Sequence, residues 1–242
     1  MRHLLLATAL AAGLASPALA TELITNGGFE TNTGNGQIGY NTTVTGWTMA
    51  SSPNYTFLFT PGTADTTGAN GQYGNLQLWG PNNGSNNGLP AASPAGGFFI
   101  AQDPSFQSAA IMQTINGLTV GNQYTVGFWW AAGQQEGFTG PTYNSWKVSL
   151  GPQSFTTATE NVVSHGFSGW MQQNFTFTAT STSEALSFLA VGGPPGVPPF
   201  ALLDGVSMQA VPEPSTWAIM LTGVGAVGFM GLRTRRRSTA AA

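Results

Sequence analysis

The feature that most constrains the fold is the alternation of apolar and polar residues in several short segments between residues 23 and 209. The clearest segment is QYTVGFWWA at 123–131, whose apolar alternate positions are Tyr124, Val126, Phe128 and Trp130. A period of two places these side chains on one face of a β-strand, because successive side chains of a strand point to opposite faces. No segment of this region has a convincing helical period, and Gly-, Asn- and Pro-rich turns separate the alternating segments. The pattern predicts an all-β fold of antiparallel strands, each with one face in water.

The predicted domain covers residues 21–210 and is large for a β-sandwich. Its strands are spread over roughly 190 residues, against about 100 in an immunoglobulin-type domain, so an antiparallel jelly-roll sandwich with long loops fits better. Gly- and Asn-rich stretches at 32–39 and 81–97 are the predicted loops. Only 6% of the residues are charged, but 11% are aromatic. Because disordered chains combine few aromatic residues with high net charge, a packed domain is expected.

The charges are unevenly distributed along the chain. Five of the six basic residues lie near the two ends, and Lys147 is the only one between residues 21 and 211. The same stretch holds eight acidic residues, so one base against eight acids gives it a net charge of −7. Such a surface repels phosphate backbones, and the sequence therefore predicts no nucleic-acid partner.

The N-terminus is typical of a secretory signal peptide. Residues 1–20 begin with a basic Arg2, continue with an apolar stretch at 4–14 and end in Ala18-Leu19-Ala20, after which cleavage is expected. The sequence therefore predicts that the mature chain is exported. The chain has no cysteine, so the exported domain is expected to be stable without disulfides.

The C-terminus carries a second apolar segment. Residues 217–232 contain no charge and are followed by an arginine cluster at 233–237. A membrane span usually needs about 20 residues and rarely fewer than about 17. We therefore predict a short transmembrane helix at about residues 216–232, with the arginines on the cytoplasmic side.

Around this segment the sequence resembles a known sorting signal. Val-Pro-Glu-Pro-Ser at 211–215, the apolar stretch and the arginine cluster together are similar to the PEP-CTERM signal of Gram-negative bacteria, over residues 211–237. The matching sorting residues are Pro212, Glu213, Pro214, Arg235, Arg236 and Arg237. The resemblance implies an exosortase, a membrane cysteine transpeptidase, as partner. It also implies that the protein is held in the inner membrane by its C-terminal helix and then reaches the cell envelope or the extracellular space.

Motifs of the middle region resemble the galactose-binding-like β-sandwich that many carbohydrate-binding modules share. They are LITNGGFE at 23–30, VTGW at 44–47, QTINGLTVGNQYTVGFWWA at 113–131 and ALLDGVSM at 201–208. In that family the first and last strands lie close together and often hold a structural calcium ion. The resemblance implies that Glu30 and Asp204 are calcium ligands here, together with backbone carbonyl oxygens.

The residues around Asp204 agree with a bound cation. Alternation groups this carboxylate with Leu202, Val206 and Met208, and an ionised group among apolar neighbours needs a partner. A single lysine in the domain makes a salt bridge unexpected, whereas calcium takes carboxylate and carbonyl oxygens. The alternative is that Asp204 caps backbone N–H groups at a β-bulge without any metal. The sequence leaves both interpretations standing.

The sequence offers little for catalysis. His165 is the only histidine after the signal peptide, and no serine stands in a Gly-x-Ser-x-Gly motif. One histidine and no cysteine exclude the usual zinc sites. Glu136 and Glu160 are the carboxylates left for a glycosidase pair, but neither lies in a recognisable motif. We therefore predict that the protein is not an enzyme.

Sugar binding is the function that the sequence favours. Sugars stack their C–H faces on exposed aromatic rings and form hydrogen bonds with side-chain amides. Alternation leaves several such side chains on wet strand faces, and two more aromatic residues lie in the loop at 135–143. The predicted ligand-binding residues are Gln77, Trp79, Trp129, Phe138, Tyr143 and Gln172. The alternative for each aromatic residue is a place in the core.

Taken together, the residues and both resemblances predict an exported envelope protein whose sandwich binds or organises extracellular polysaccharide. An alternative is a structural envelope or biofilm-matrix protein without a small ligand. Weaker alternatives are glycan hydrolysis and ice binding. The last rests on Thr-rich pieces such as FTFTATSTS at 175–183, and on the name "ice-binding protein C-terminal domain" that the same kind of tail sometimes carries.

Overall fold

The structure is a computed structural model that describes residues 21–212 of the 242-residue chain. The predicted signal peptide at 1–20 and the predicted transmembrane helix at about 216–232 lie outside the described residues. None of the described residues forms a helix with the length and hydrophobicity of a membrane span. Between residues 21 and 212 the secondary structure consists of fourteen β-strands: β1 (Gly36–Gln37), β2 (Thr48–Met49), β3 (Thr56–Phe59), β4 (Ala69–Gly71), β5 (Gly74–Leu76), β6 (Phe99–Gln102), β7 (Ile111–Asn116), β8 (Gln123–Gln134), β9 (Thr142–Leu150), β10 (Gln153–Thr156), β11 (Glu160–Val162), β12 (Met171–Thr178), β13 (Ser183–Gly193) and β14 (Pro199–Ala210).

The strands form two large sheets and a small hairpin. The first sheet has the order β1-β3-β6-β14-β8-β12, and the second has the order β10-β9-β13-β7-β2, with β11 also paired to β9. β4 and β5 form the separate hairpin. All strand pairs are antiparallel. The predicted all-β antiparallel jelly-roll sandwich is confirmed.

The main core lies between the two large sheets. Alternate side chains of β8 point into it, as the period-two pattern predicts, and Trp130 is only 2% exposed. Trp146 on β9 is fully buried opposite, and its Nε1 donates a hydrogen bond to the Leu202 carbonyl oxygen of β14 at 3.0 Å. This bond joins β9 of the second sheet to β14, which lies between β6 and β8 in the first sheet.

A second core covers part of the outer face of the first sheet. Its sheet residues include Phe57, Phe99 and Leu202, and segment 60–98 lies over them with five buried apolar side chains: Ala64, Ala69, Leu76, Leu78 and Leu89. The expectation that every strand keeps one wet face is therefore wrong for this part of the sheet. Alternation correctly buries Leu76 and Leu78, but they pack here rather than between the sheets.

A β-bulge in β14 divides the residues that sequence alternation had grouped around Asp204. The pairing of β14 with β8 shifts between Asp204 and Ser207. Before the shift, Leu202 belongs to the second core; after it, Val206 and Met208 belong to the main core. The grouping of Asp204 with Val206 and Met208 is therefore wrong, because the extra residue of a bulge reverses the side-chain parity of the strand.

The two ends of the sandwich differ: one holds the ends of the described chain, and the other holds a cleft lined by several connections. The backbone N–H of Leu23 donates to the Met208 carbonyl oxygen at 3.0 Å, so the N-terminal segment runs beside the last residues of β14. Both termini of the described chain therefore lie at one end. The connections β2–β3, β4–β5, β6–β7, β8–β9 and β13–β14 contribute residues to a single cleft, which adjoins Pro199 at the start of β14.

Candidate functional site

The structure distributes the six predicted ligand-binding residues over three places. Gln77 and Trp79 lie beside the loop that carries Phe138. Trp129 and Gln172 are a cross-strand pair on the first sheet. Tyr143 lies on β9 of the second sheet. A single binding surface that contains all six is therefore not formed, and the binding role of each residue stays a prediction.

Trp79 supports the β8–β9 loop. Its Nε1 donates to the Phe138 carbonyl oxygen at 2.8 Å, and its ring stacks on His165 with centroids 4.0 Å apart and planes at 30°. The backbone carbonyl oxygen of Gln77 accepts a hydrogen bond from the backbone N–H of Glu136 at 2.9 Å. These contacts leave Trp79 half-buried and give it a direct means of holding Phe138 in place.

Trp129 and Gln172 lie directly opposite each other on β8 and β12. Trp129 is half-buried, Gln172 is exposed, and Asn174 and Thr176 follow on the same face of β12. This part of the first sheet lies beyond the second core and faces water. It is therefore a second possible contact surface, with one aromatic ring and two amides.

Tyr143 is 43% exposed and lines a shallow depression together with Pro141, Val163 and Pro194. The β13–β14 loop contributes Pro194 to this depression and Pro195 to the aromatic cleft described below. Tyr143 therefore lies near that cleft without lining it.

We call the cleft at the loop end of the sandwich the aromatic cleft. It has a volume of about 390 Å³, within the range of roughly 300–1,000 Å³ that is usual for small-ligand sites. The aromatic residues that line it are Tyr55, Tyr73, Phe106 and Phe138. Tyr73 is 62% exposed and Phe106 is 44% exposed, so both rings offer free faces to a ligand.

Three of these rings form one packed group. The ring centroids of Tyr55 and Phe106 are 5.2 Å apart, those of Tyr73 and Phe106 are 5.6 Å apart, and those of Tyr55 and Tyr73 are 6.1 Å apart. The amide of Gln107 donates from Nε2 to the Tyr73 hydroxyl at 2.9 Å and accepts from Gln72 at 2.5 Å. The rings and amides hold one another, so the surface that they present is formed before any ligand arrives.

Asp103 also lines the aromatic cleft. Its Oδ1 accepts three hydrogen bonds, from the Ser105 N–H (2.7 Å), the Ser105 hydroxyl (2.8 Å) and the Phe106 N–H (3.1 Å). Its Oδ2 is buried and has no hydrogen-bond partner. Burial raises the pKa of Asp103 above its usual range, and these hydrogen bonds lower it in part. The same turn places the Phe106 ring at the cleft.

Sequence reasoning identified only Phe138 of the aromatic cleft and missed Tyr55, Tyr73, Asp103 and Phe106. A weak signal was present: Tyr73 stands in the short turn GQYG, and Asp103 opens the turn DPS before Phe106. Aromatic residues in turns have no core strand to occupy, so they are candidates for surface contacts. Nothing in the sequence shows that these turns meet.

The structure brings Glu30 and Asp204 to the same place. A Cβ atom on Gly28 would lie 3.9 Å from both Glu30 Oε1 and Asp204 Oδ1. Asp204 is fully buried; its Oδ1 accepts from the Gly205 N–H at 2.6 Å, and its Oδ2 accepts from the Ser93 hydroxyl. The capping of a backbone N–H at a bulge, the metal-free alternative, is therefore present.

Burial raises the pKa of Asp204 to about 7, against the lowering effect of its hydrogen bonds from Ser93 and Gly205, and the Glu30 carboxylate adds to the rise. Two carboxylates that repel each other fit a hard cation, which would replace their repulsion by attraction. Among residues 21–212 no three His, Cys, Asp or Glu side chains converge. Calcium would therefore depend on Glu30, Asp204 and backbone carbonyl oxygens, and its binding stays a prediction.

Comparison with known proteins identifies the C-terminal segment. Residues 210–237 match the family model described as the PEP-CTERM protein-sorting motif. The chain carries a PEP-CTERM sorting motif. The resemblance drawn from Pro212, Glu213, Pro214 and the arginine cluster is thus confirmed. No curated protein matches the sequence.

Solved structures similar to the chain include carbohydrate-binding modules. One is the module TmCBM61 in complex with β-1,4-galactotriose, at 15% identity and a TM-score of 0.43, covering 79% of this chain and 99% of that one. Another is the CBM22-1 xylan-binding domain of Paenibacillus barcinonensis Xyn10C, at 10% identity and a TM-score of 0.40, covering 82% and 100%. A third is the K1 cleaved adhesin domain of Lys-gingipain from Porphyromonas gingivalis, at 10% identity and a TM-score of 0.38, covering 81% and 98%.

Proposed function

We propose that the protein is an exported, non-enzymatic polysaccharide-binding protein of the cell envelope, and that the aromatic cleft is its binding site. The observation that carries the proposal is the convergence, at one end of the sandwich, of three exposed aromatic rings with an amide and a buried carboxyl group: Tyr73, Phe106, Phe138, Gln135 and Asp103. Aromatic faces stack on the C–H faces of sugar rings, while amides and carboxylates form hydrogen bonds with hydroxyl groups. A preformed aromatic group loses little side-chain entropy when it binds.

The position of the aromatic cleft supports this role. Pro198 lines the cleft, β14 begins at the next residue, and the sorting motif begins where β14 ends, at residue 210. Twelve residues of strand span roughly 40 Å at about 3.3 Å each. The cleft and the first residue of the sorting motif therefore lie at opposite ends of β14. A protein attached through its C-terminus would present the cleft away from the membrane, toward external polymers.

The sorting motif supports handling by an exosortase in the inner membrane. In this proposal Pro212, Glu213 and Pro214 are the recognition residues, and the arginine cluster holds the C-terminus on the cytoplasmic side. Export followed by sorting brings the domain to the envelope or the extracellular space. Deleting residues 213–237 is expected to prevent this sorting, which fractionation of cells would detect as a changed distribution of the protein.

Replacing Phe106 or Tyr73 by alanine is expected to weaken polysaccharide binding by about fivefold for each ring, since one stacked aromatic ring contributes about 1 kcal/mol. The measurement is retardation of the full-length protein in native gels containing a panel of soluble polysaccharides. Phe155→Ala is the matched control, because Phe155 is 43% exposed, as Phe106 is 44% exposed, but lies on β10. The wild type is expected to release no reducing sugar.

The same gels distinguish the aromatic cleft from the face of Trp129 and Gln172. Loss of binding in Trp129→Ala with normal binding in Phe106→Ala would move the site to that face. Trp79→Ala is expected to weaken binding without unfolding the protein, because Trp79 holds the Phe138 backbone through a 2.8 Å hydrogen bond. A wild type that no polysaccharide retards would contradict the proposal and favour a purely structural envelope role.

A further inference from the structure

The unpartnered carboxylate oxygen of Asp103 restricts the class of ligand that suits the aromatic cleft. Asp103 is 1% exposed, and three donors already occupy its Oδ1. Its Oδ2 has no partner, and a buried carboxylate oxygen without one is costly. Lys147, the only lysine or arginine between residues 21 and 212, lies on β9, where its partner in register on β13 is Leu189. The cleft thus contains a carboxyl group, and no lysine or arginine among the described residues lines the cleft beside it.

The aromatic rings of the cleft also favour a positively charged ligand. The faces of aromatic rings carry negative potential and attract cations within about 6 Å of the ring centroid. Tyr55 and Asp103 line the same cleft, and burial first, then the carboxylate of Asp103 and then Tyr73 raise the pKa of the Tyr55 hydroxyl. An acidic sugar would meet this carboxylate in a domain of net charge −7. A neutral sugar would stack on the rings but would leave Asp103 without a counter-charge.

We propose that the aromatic cleft selects polysaccharides that carry protonated amino groups, such as de-acetylated amino sugars, over their N-acetylated, neutral and uronic counterparts. The ammonium group pairs with Asp103 beside the rings of Tyr55 and Phe106, while the sugar ring stacks on Tyr73. This inference rests on the proposed function, because it names the ligand class of the same cleft.

The test compares two ligands that differ only in acetylation. Isothermal titration of the full-length protein at pH 6 uses a β-1,4-linked glucosamine pentamer and the corresponding N-acetylglucosamine pentamer. Wild type is expected to bind the free amine at least about tenfold more tightly, in line with a partly buried charged pair. Asp103→Asn, which keeps the size of the side chain, is expected to lose this preference. Tyr73→Ala is expected to weaken the binding of both ligands.

An acidic domain attracts any polycation, so the control must remove one negative charge elsewhere. Glu160→Gln on β11 does this outside the aromatic cleft. If Glu160→Gln lowers the preference as much as Asp103→Asn does, general charge is the cause and the inference is overturned. Equal binding of both pentamers by wild type also overturns it, but leaves the cleft as the polysaccharide site. If Tyr73→Ala and Phe106→Ala leave binding unchanged, the aromatic cleft is not the binding site and the proposed function is contradicted as well.

Discussion

Trp130→Ala is expected to lower the free energy of unfolding by about 3–5 kcal/mol, whereas Trp129→Ala, one residue away, is expected to lower it by about 1 kcal/mol. Trp130 is 2% exposed in the main core between Leu203 of β14 and Met171 of β12, its partners in register. Removing its ring loses buried apolar surface and leaves a cavity that the two sheets cannot close. Trp129 points to the opposite face and is half-buried.

The pair is a matched test of the strand's two faces, because the chemical change is the same in both variants. Thermal unfolding of the full-length protein, followed by far-UV circular dichroism, is the measurement. A loss of about 4 kcal/mol corresponds to a decrease in Tm of roughly 8–16 °C for a domain of this size. Equal losses from the two variants would show that both faces of β8 are buried alike and would contradict the assignment of Trp129 to a wet face.

Asp204 is expected to make the metal-free protein less stable as the pH rises from about 4 to about 7. The pKa of its carboxyl is raised to about 7 in the folded state, whereas an unfolded aspartate ionises near 4. Between these values the folded state keeps a proton that the unfolded state has released, so stability falls with rising pH. The full loss above pH 7 is about 4 kcal/mol.

Asp204→Asn isolates this effect from other titrating groups. The amide has the same shape and no charge, so the variant is expected to match wild type near pH 3.5 and to exceed it in stability at pH 8. Unfolding in urea in the presence of EGTA, measured at both values, gives the difference. A wild type as stable as the variant at pH 8 would show that Asp204 ionises without cost.

Calcium is expected to reverse the penalty at neutral pH. If Glu30 and Asp204 bind the ion, a calcium concentration of 100 times its Kd stabilises the fold by about 2.7 kcal/mol. Thermal unfolding at pH 7.5 should show a higher Tm for wild type with calcium than with EGTA. Glu30→Gln and Asp204→Asn should show no such change. An unchanged Tm of wild type would leave Asp204 as the cap of the bulge and remove the metal proposal.

The strands and their inward faces were accessible from sequence because period two is a local property. QYTVGFWWA predicted that Trp130 is buried and Trp129 is not, and both hold in the structure. The predicted grouping of Val206 and Met208 with Asp204 was wrong, because the bulge reverses which face the side chains point to and the alternation of residue types does not show it. It also did not show that segment 60–98 covers Phe57 and Leu202, since alternation does not say what lies against a face.

The sequence by itself determined that the domain is built of β-strands and that it carries a sorting motif at 210–237. Both follow from patterns among residues that are neighbours in the chain. The tertiary structure alone decided where a ligand can be held. Tyr55, Tyr73, Asp103, Phe106 and Phe138 come from four connections, and only the order of strands in the sheets brings those connections together. Contacts between residues so far apart in the chain follow from the packing of whole sheets, which no local pattern encodes.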